Sequence, residues 1–306
     1  MGSRYVLSRR HKGDGEGKRG VGGFLCVLSA RLACSFGMDP RAGVGMDTSI
    51  VIPVRNEAPN VAALADEIME TPGTGDMRFE ILFVDDHSTD DTAAIVEAVS
   101  RKHPCVKIHT LDQERGKDAA LMCGMGHSEG DTVITMDGDG QNDPRDIIPL
   151  LDALQDCDMV CGIRRDRKAS LEKRASSWIA NRVRNAITGD SIEDAGCAFR
   201  VMRRPCAAWL VRLNPKLFGT AHCFYPTLAR GHGFTVRQVR VRDRARQYGR
   251  SKFAVVQGRV VSGMRGCLRV RRMVRRKGGV GWELCGCVGK EGPRTRTRAE
   301  DESSGK

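Results

Sequence analysis

The chain has 306 residues, of which 40% are hydrophobic and 29% charged, so it is long enough to bury the core of one large α/β domain or of two small ones. Its longest stretch without a charged residue, from 217 to 229, is too short and too polar for a transmembrane helix, and its twelve cysteines contain no CxxC pair, which argues against a zinc site or a disulfide framework. The net charge of +12 is uneven, with −16 over residues 46–163 and +15 over residues 164–253. An acidic half that gathers a metal and a basic half that gathers phosphates would form one site between them.

The region from 46 to 163 shows a regular alternation of strands and helices. Residues 1–45, which precede it, are rich in Gly and Arg without a periodic pattern, and we expect them to be disordered or to be an extension before a downstream start near Met46. The alternation predicts a doubly wound, mostly parallel sheet with helices on both faces. The predicted strands cover 49–54, 79–84, 106–110, 133–135 and 158–163, and the predicted helices cover 61–69, 92–101, 117–127 and 145–154.

The basic half is less regular. An amphipathic helix is predicted at 170–187, and we interpret it as an ordinary surface helix, with a membrane-contacting helix as the alternative. A strand at 198–202, helices near Pro205 and at 224–228, and a strand at 234–241 complete the predicted domain, 46–253. The pattern fades after Phe253, so residues 254–306 are predicted to form a basic, largely disordered tail.

Ligand-type side chains follow four of the predicted strands. They are Arg55 and Glu57 after the first, Asp85 and Asp86 after the second, Asp137 and Asp139 after the fourth, and Arg164 after the fifth. In parallel α/β sheets, ligands bind beyond the carboxyl ends of the strands. These ends therefore predict a single binding site.

Asp137 and Asp139 are separated by one glycine at the end of a buried strand, so both carboxylates can face one cation. Their hard oxygen atoms suit magnesium or manganese with a diphosphate as a further ligand. Alone, the same pattern is more often a solvated acidic turn. The residues at the other strand ends favour the metal site.

Seven motifs occur in the same order as in a known family, between residues 46 and 264. They are IPVRNE (52–57), VDDHSTDDT (84–92), ERGKDAAL (114–121), MDGDGQNDP (136–144), KRASSWIANRVRN (173–185), DAGCAFRVMRR (194–204) and RQYGRSKF (246–253). With these motifs the chain resembles the family 2 glycosyltransferases, close to the polyprenyl-phosphate glycosyltransferases that include dolichyl-phosphate mannose synthases. The resemblance implies a Rossmann-like fold of the GT-A type.

The resemblance also implies a role for individual residues. It assigns the metal to Asp137, Asp139 and Gln141, and catalysis to Asp139, Arg164 and Arg246. It assigns the nucleotide-sugar donor and the phosphates to Pro53, Arg55, Glu57, Asp85, Asp86, Lys117, Asp137, Arg174 and Lys252.

The implied reaction is inverting transfer of a sugar from a UDP- or GDP-sugar to undecaprenyl or dolichyl phosphate, with magnesium or manganese as cofactor. A phosphate monoester has a second pKa of about 6, so the acceptor needs no general base, and no catalytic histidine is apparent near the strand that ends at Asp137. Such an enzyme would serve cell envelope glycan biosynthesis in the cytoplasm, peripherally at the cytoplasmic face of a membrane. A membrane-subunit partner or a homo-oligomer is compatible with this prediction, and no nucleic acid is expected.

Two departures from the family pattern affect the acceptor side. Asp243 and Ala245 alternate with arginines where relatives have His-Arg-x-Arg, and Cys223 replaces a basic residue. Two other functions are less consistent with the sequence. A basic membrane or nucleic-acid binding module on an inactive fold conflicts with the intact Asp-x-Asp pair and the acidic half. A nucleotidyltransferase would need a phosphate-cradling glycine loop after the first strand, and IPVRNEAPN is not one.

Overall fold

The computed structural model describes residues 47–75, 77–165, 171–213, 221–246, 248 and 257–275, and at 165, 171–177, 257–262 and 275 it describes the backbone alone. The predicted extension at 1–45, Lys252 and residues 276–306 lie outside the described residues. Arg174 lies in a described helix, but its side chain is also outside them.

The described strands form one seven-stranded sheet in the order β3-β2-β1-β4-β6-β5-β7. The strands are β1 (Thr48–Val54), β2 (Phe79–Asp85), β3 (Val106–Thr110), β4 (Thr132–Thr135), β5 (Met159–Arg165), β6 (Arg200–Arg203) and β7 (Val236–Arg242). All neighbouring pairs are parallel except those of β6, which is antiparallel to both β4 and β5. The predicted doubly wound, mostly parallel sheet is confirmed.

Helices cover both faces of this sheet. They are α1 (Ala58–Glu70), α2 (Thr92–Lys102), α3 (Lys117–His127), α4 (Ile147–Ala153), α5 (Leu171–Thr188), α6 (Arg204–Val211), α7 (Tyr225–His232) and α8 (Gln257–Arg275). Short 3-10 turns, Pro144–Asp146 and Ala221–Phe224, precede α4 and α7. Prolines open α1, α6 and α7, where the missing N–H costs no helical hydrogen bond.

Two hydrophobic clusters lie on opposite faces of the sheet. Ile50 and Ile52 of β1 belong to the cluster beneath α1, α2 and α4, whereas Val51 belongs to the cluster beneath α3, α6, α7 and α8. This division arises because successive side chains of a strand point to opposite faces. Burial of both faces explains why the central strands β1 and β2 are largely apolar along their length.

The expectation of a largely disordered tail at 254–306 was wrong for residues 257–275, which form α8. Cys267 and Val270 of this helix are buried in the core cluster beneath α7. A Cβ at Gly266 would lie 2.9 Å from the Phe224 ring, so glycine lets α8 approach closely. Its three glycines lower the helical propensity of the segment, and packing on the domain stabilises the helix instead.

The predicted amphipathic helix at 170–187 is confirmed as α5. Its apolar residues are not all buried: Ile187 packs against the core, whereas Trp178, Ile179 and Val183 are exposed. No helix in the described ranges is long and apolar enough to cross a bilayer.

Candidate active site

The sheet changes its direction of winding between β1 and β4, which lie side by side although β2 and β3 separate them in sequence. In open α/β sheets the crevice at such a switch point holds the ligand. The loop with Asp137 and Asp139 follows β4 at this point. A Cβ at Gly138 would lie 2.6 Å from Val54 Cγ1 and 3.2 Å from the carbonyl oxygen of Pro53, so only glycine lets this loop pack against the end of β1.

Each carboxylate of the Asp-x-Asp pair contacts a cation from a distant part of the chain. Asp137 forms an ion pair with Lys117, the first residue of α3. Asp139 Oδ2 accepts a hydrogen bond of 2.5 Å from Arg246 Nη2, and Arg246 Nη1 lies 3.6 Å from Glu57 Oε1. The structure thereby joins the acidic and the basic halves at one place, as the charge distribution predicts.

The two carboxyl groups have opposite pKa shifts. Burial works against ionisation of Asp137, but the charge of Lys117, followed by those of His222 and Arg164, holds its pKa below the ordinary value. Burial, followed by the negative charge of Asp137, raises the pKa of Asp139 despite the nearby Arg246. Negative charge at Asp139 is therefore incompletely compensated by the chain itself.

Hydrogen bonds of the backbone and ion pairs of the Arg244 side chain hold the segment after β7 close to the Asp-x-Asp loop. The Arg244 N–H donates to the Gln141 carbonyl at 2.9 Å, and Gln141 Nε2 donates to the Arg244 carbonyl at 3.4 Å. The Arg244 guanidinium lies 2.7 Å from Glu67 and 2.6 Å from Asp143. These contacts place Arg246 beside Asp139, while its binding of phosphate stays a prediction.

The residues predicted to hold the nucleotide lie at the ends of β1 and β2, and most have partners within the chain. Asp85 accepts from the backbone and hydroxyl of Ser88, and Asp86 accepts from the backbone N–H groups of Arg115 and Gly116 at 2.7 and 2.9 Å. Pro53 lies opposite Val84 in the sheet. Arg55 pairs with Glu114, and Glu57 accepts from Asn60 at 2.7 Å.

Arg164 lies near the end of β5, at the same edge of the sheet. It pairs with Asp194, a carboxylate of the basic half of the chain. Its Nε and Nη2 atoms donate to the two oxygens of Asp194 at 2.7 and 2.8 Å, in the bidentate geometry that suits an arginine fork. Its positive charge contributes to the lowered pKa of Asp137, after those of Lys117 and His222. The two hydrogen bonds to Asp194 hold the Arg164 guanidinium in one orientation.

Asp118 and His222 belong to the same site, and the sequence did not reveal them. His222 Nδ1 lies 2.6 Å from Asp118 Oδ1, and the backbone N–H groups of Ala221 and His222 both donate to Asp118 at 2.9 Å. Burial disfavours the imidazolium, but Cys223 and the hydrogen bond to Asp118 outweigh it and raise the pKa of His222 to about 9. In the sequence, Asp118 directly follows Lys117 in the ERGKDAAL motif, and this position next to a predicted site residue was the indication that Asp118 belongs to the site.

Comparison with known proteins identifies the family. A family model described as glycosyl transferase family 2 matches residues 49–208. The dodecaprenyl-phosphate galacturonate synthase of Rhizobium johnstonii is 32% identical over 218 residues, which cover 69% of this chain and 62% of that protein. The undecaprenyl-phosphate 4-deoxy-4-formamido-L-arabinose transferase of Edwardsiella ictaluri is 32% identical over 211 residues, which cover 68% of this chain and 63% of that protein. The chain thus spans less than two thirds of the length of these relatives.

Two solved structures share the fold. A glucosyl-3-phosphoglycerate synthase from Mycobacterium tuberculosis, in complex with Mn2+ and UDP-glucose, has a TM-score of 0.56 and 18% identity over 78% of this chain and 83% of that chain. A mannosyltransferase from Pyrobaculum calidifontis, in complex with GDP-mannose and Mn2+, has a TM-score of 0.52 and 21% identity over 74% of this chain and 65% of that chain. From its motifs, its mixed sheet and the family match, the chain belongs to glycosyl transferase family 2 and has a GT-A-type fold.

Proposed function

We propose that this protein is an inverting glycosyltransferase that moves a sugar from a nucleotide-diphosphate sugar to a polyprenyl phosphate. The observation that carries the proposal is the paired arrangement of Asp137 with Lys117 and of Asp139 with Arg246 at the switch point of the sheet. Two carboxylates and two cations at one place suit a metal-bound diphosphate. The names of the relatives, which specify dodecaprenyl and undecaprenyl phosphate, support the acceptor.

The residues at this site fit magnesium or manganese. Asp137 and Asp139 supply hard oxygen atoms, and burial, followed by the charge of Asp137, raises the pKa of Asp139, so that a bound divalent cation would favour its ionised form. Among the described residues no group of three His, Cys, Asp or Glu side chains is arranged to hold a metal unaided. Asp137, Asp139 and the adjacent Gln141 would therefore share the ion with diphosphate and water oxygens. When bound there, it offsets the charge that develops on the leaving diphosphate.

The remaining residues act on the donor and on the acceptor. Asp85, Asp86 and Glu57 accept hydrogen bonds from base and ribose groups at the ends of β1 and β2. When the diphosphate binds, the side chains of Lys117 and Arg246 contact phosphate oxygens instead of the carboxylates. Arg164 provides a third cation for these oxygens. The acceptor phosphate, already ionised, attacks the anomeric carbon from the face opposite the diphosphate, which inverts the configuration.

A membrane-bound acceptor implies a location at a membrane surface. We infer that the protein works peripherally, at the cytoplasmic face of the membrane. A homo-oligomer or a membrane-subunit partner stays a prediction.

The deciding experiment is a donor screen with the purified full chain. UDP- and GDP-sugars are incubated with polyprenyl phosphate in detergent, with Mn2+ or Mg2+, and both the glycosylated lipid and the released nucleotide are measured. We expect one donor series to yield product only when lipid and metal are both present, and EDTA to abolish it. Absence of glycosylated lipid with every donor would refute the proposal. Release of pyrophosphate from a nucleoside triphosphate and a sugar phosphate would instead identify a nucleotidyltransferase.

A further inference from the structure

Cys223 is one of two cysteines that solvent reaches in the described part of the chain. It and Cys105 are half-buried, whereas the other six described cysteines are buried. Cys223 lies in the turn Ala221–Phe224, which directly precedes α7. Buried thiols in apolar surroundings are inert, because their thiolates are disfavoured and reagents do not reach them. Among the described cysteines, chemistry at sulfur is therefore open to Cys105 and Cys223.

The turn that carries Cys223 is held against the N-terminus of α3. Asp118 accepts the backbone N–H groups of Ala221 and His222, both at 2.9 Å, and its Oδ1 lies 2.6 Å from His222 Nδ1. The Cys223 side chain is hydrogen-bonded to the same histidine. Cys223, His222 and Asp118 thus combine a thiol, a base and a group that orients the base. This is the arrangement that activates a nucleophilic thiol.

The charges around Cys223 favour its thiolate. Burial lowers the pKa of His222, but the negative charge of Cys223 and the hydrogen bonds to Asp118 and Cys223 raise it to about 9. The interaction is mutual, so the imidazolium stabilises the thiolate in return. Burial also lowers the pKa of Arg184 in α5, and the charge of Cys223 is among the charges that oppose this shift. Arg184 is therefore a second cation near the sulfur, and Lys117 adds positive charge beside His222.

Two further titratable groups lie near Cys223. They are Cys267 of α8 and Tyr225 of α7, whose pKa values respond to the charge of Cys223. A Cβ at Gly266 would lie 2.9 Å from the Phe224 ring, and this packing brings the next residue, Cys267, close to the turn. Burial raises the pKa of both Cys267 and Tyr225. Both stay neutral near pH 7 and do not oppose ionisation of Cys223.

We propose that Cys223 is a reactive thiolate and a site of oxidation by hydrogen peroxide. The sulfur attacks one peroxide oxygen, and the O–O bond breaks as the S–O bond forms. The departing hydroxide takes a proton from the His222 imidazolium and leaves as water. The sulfur loses two electrons to the peroxide, and Cys223 becomes a sulfenic acid, which thiols reduce back.

Oxidation of Cys223 would affect the proposed active site. The reaction removes the thiolate charge that helps to hold the proton on His222. His222 pairs with Asp118, and the residue before Asp118, Lys117, forms an ion pair with Asp137. We therefore expect peroxide to lower glycosyl transfer. That consequence rests on the proposed function, whereas the oxidation itself does not.

The first test labels the reduced full chain with iodoacetamide and measures the rate at each cysteine by mass spectrometry of its peptides. We expect Cys223 to displace iodide roughly tenfold faster than Cys105 at pH 7, because more of it is thiolate. Its rate should also level off at a lower pH than that of Cys105. His222→Gln should remove the difference. The matched control is His103→Gln at the end of α2, which should leave the rate at Cys223 unchanged.

The second test adds hydrogen peroxide with dimedone, which traps sulfenic acids. We expect an adduct at Cys223 at a dose that leaves Cys105 unmodified. The buried Cys161 and Cys206 should stay unlabelled in every variant, and so they report an intact fold. If they react in His222→Gln, the pH profiles of the unmodified chain decide instead. Equal rates and equal pH profiles at Cys223 and Cys105, or equal adducts at both, would overturn the proposal.

The link to the active site has its own measurement. Peroxide should lower transfer by the unmodified chain, whereas Cys223→Ser should keep its own starting rate after the same treatment. A sulfenic acid at Cys223 without any loss of transfer would confirm the oxidation site and contradict only its link to catalysis. The labelling experiments need neither donor nor acceptor, so their outcome is independent of the proposed function.

Discussion

His222 Nδ1 lies 2.6 Å from Asp118 Oδ1, across 104 residues of sequence. The same carboxylate accepts both backbone N–H groups at the start of the turn Ala221–Phe224, so it fixes that segment to the N-terminus of α3. The next residue toward the N-terminus, Lys117, pairs with Asp137. Asp118 therefore positions two cations, Lys117 and His222, beside the Asp-x-Asp pair.

Replacing His222 should impair transfer more than folding. His222→Gln keeps hydrogen-bonding capacity but removes the positive charge, and we expect kcat/KM to fall roughly tenfold because one charge-assisted contact is lost. Steady-state kinetics, with the concentrations of donor and lipid varied in turn, will show for which substrate kcat/KM decreases. An effect on the melting temperature with unaltered kinetics would show that the pair is only structural.

The raised pKa of His222 also predicts a pH dependence of stability. A group whose pKa rises from about 6.5 to about 9 on folding contributes stability that is complete below pH 6.5 and lost as the pH rises through 9. The free energy of unfolding should therefore decrease between pH 6.5 and 10, by up to roughly 3 kcal/mol. Urea unfolding of the unmodified chain and of His222→Gln will measure it. Equal pH profiles for both would contradict the assignment.

Asp139→Asn should abolish transfer without unfolding the domain. The substitution removes a charge that burial and Asp137 already disfavour, so the melting temperature should not fall, but the metal site loses one of its two carboxylates. Transfer assays across a range of Mn2+ and Mg2+ concentrations, with circular dichroism to check the fold, provide the measurement. Full activity with either ion present would refute the metal assignment.

Arg246→Ala should reduce transfer ten- to hundredfold, because a charge-assisted phosphate contact is worth about 1.5 to 3 kcal/mol. The same loss is predicted for Lys252→Ala. Arg145→Ala is a suitable control, since Arg145 is largely exposed and pairs with Asp143 nearby without reaching Asp139. Michaelis constants for both substrates should be compared. If the Arg246 and Lys252 variants had the same rates as the unmodified chain, this segment would have no role in phosphate binding.

Gly138→Ala should reduce activity without any change of charge. The new methyl group would lie 2.6 Å from Val54 Cγ1, so the Asp-x-Asp loop must move away from β1. We expect at least a tenfold loss of transfer and a higher metal concentration for half-maximal rate, because displaced carboxylates no longer share one ion. Metal titration of the rate measures this effect. Gly140→Ala removes the other glycine of the loop at a residue whose φ is 72° but where a Cβ has free space, and comparing the two separates packing from backbone strain.

The sequence by itself determined the alternation of strands and helices, the ligand-type residues at the strand ends and the Asp-x-Asp pair. These features are local, since period-2 and period-3.6 patterns, prolines and glycines act over a few residues. They suffice to bring Asp85, Asp137 and Arg164 to one edge, because parallel strands share the direction of their carboxyl ends.

The tertiary structure alone decided which distant residues meet at that edge. The antiparallel strand β6 inserts between β4 and β5, His222 reaches Asp118, and Arg246 reaches Asp139 across 107 residues. Helix α8 likewise depends on packing of Cys267 and Val270 into the core, because its glycines lower its helical propensity. Such contacts depend on long-range packing and on burial of charges against each other, neither of which leaves a periodic trace in the sequence.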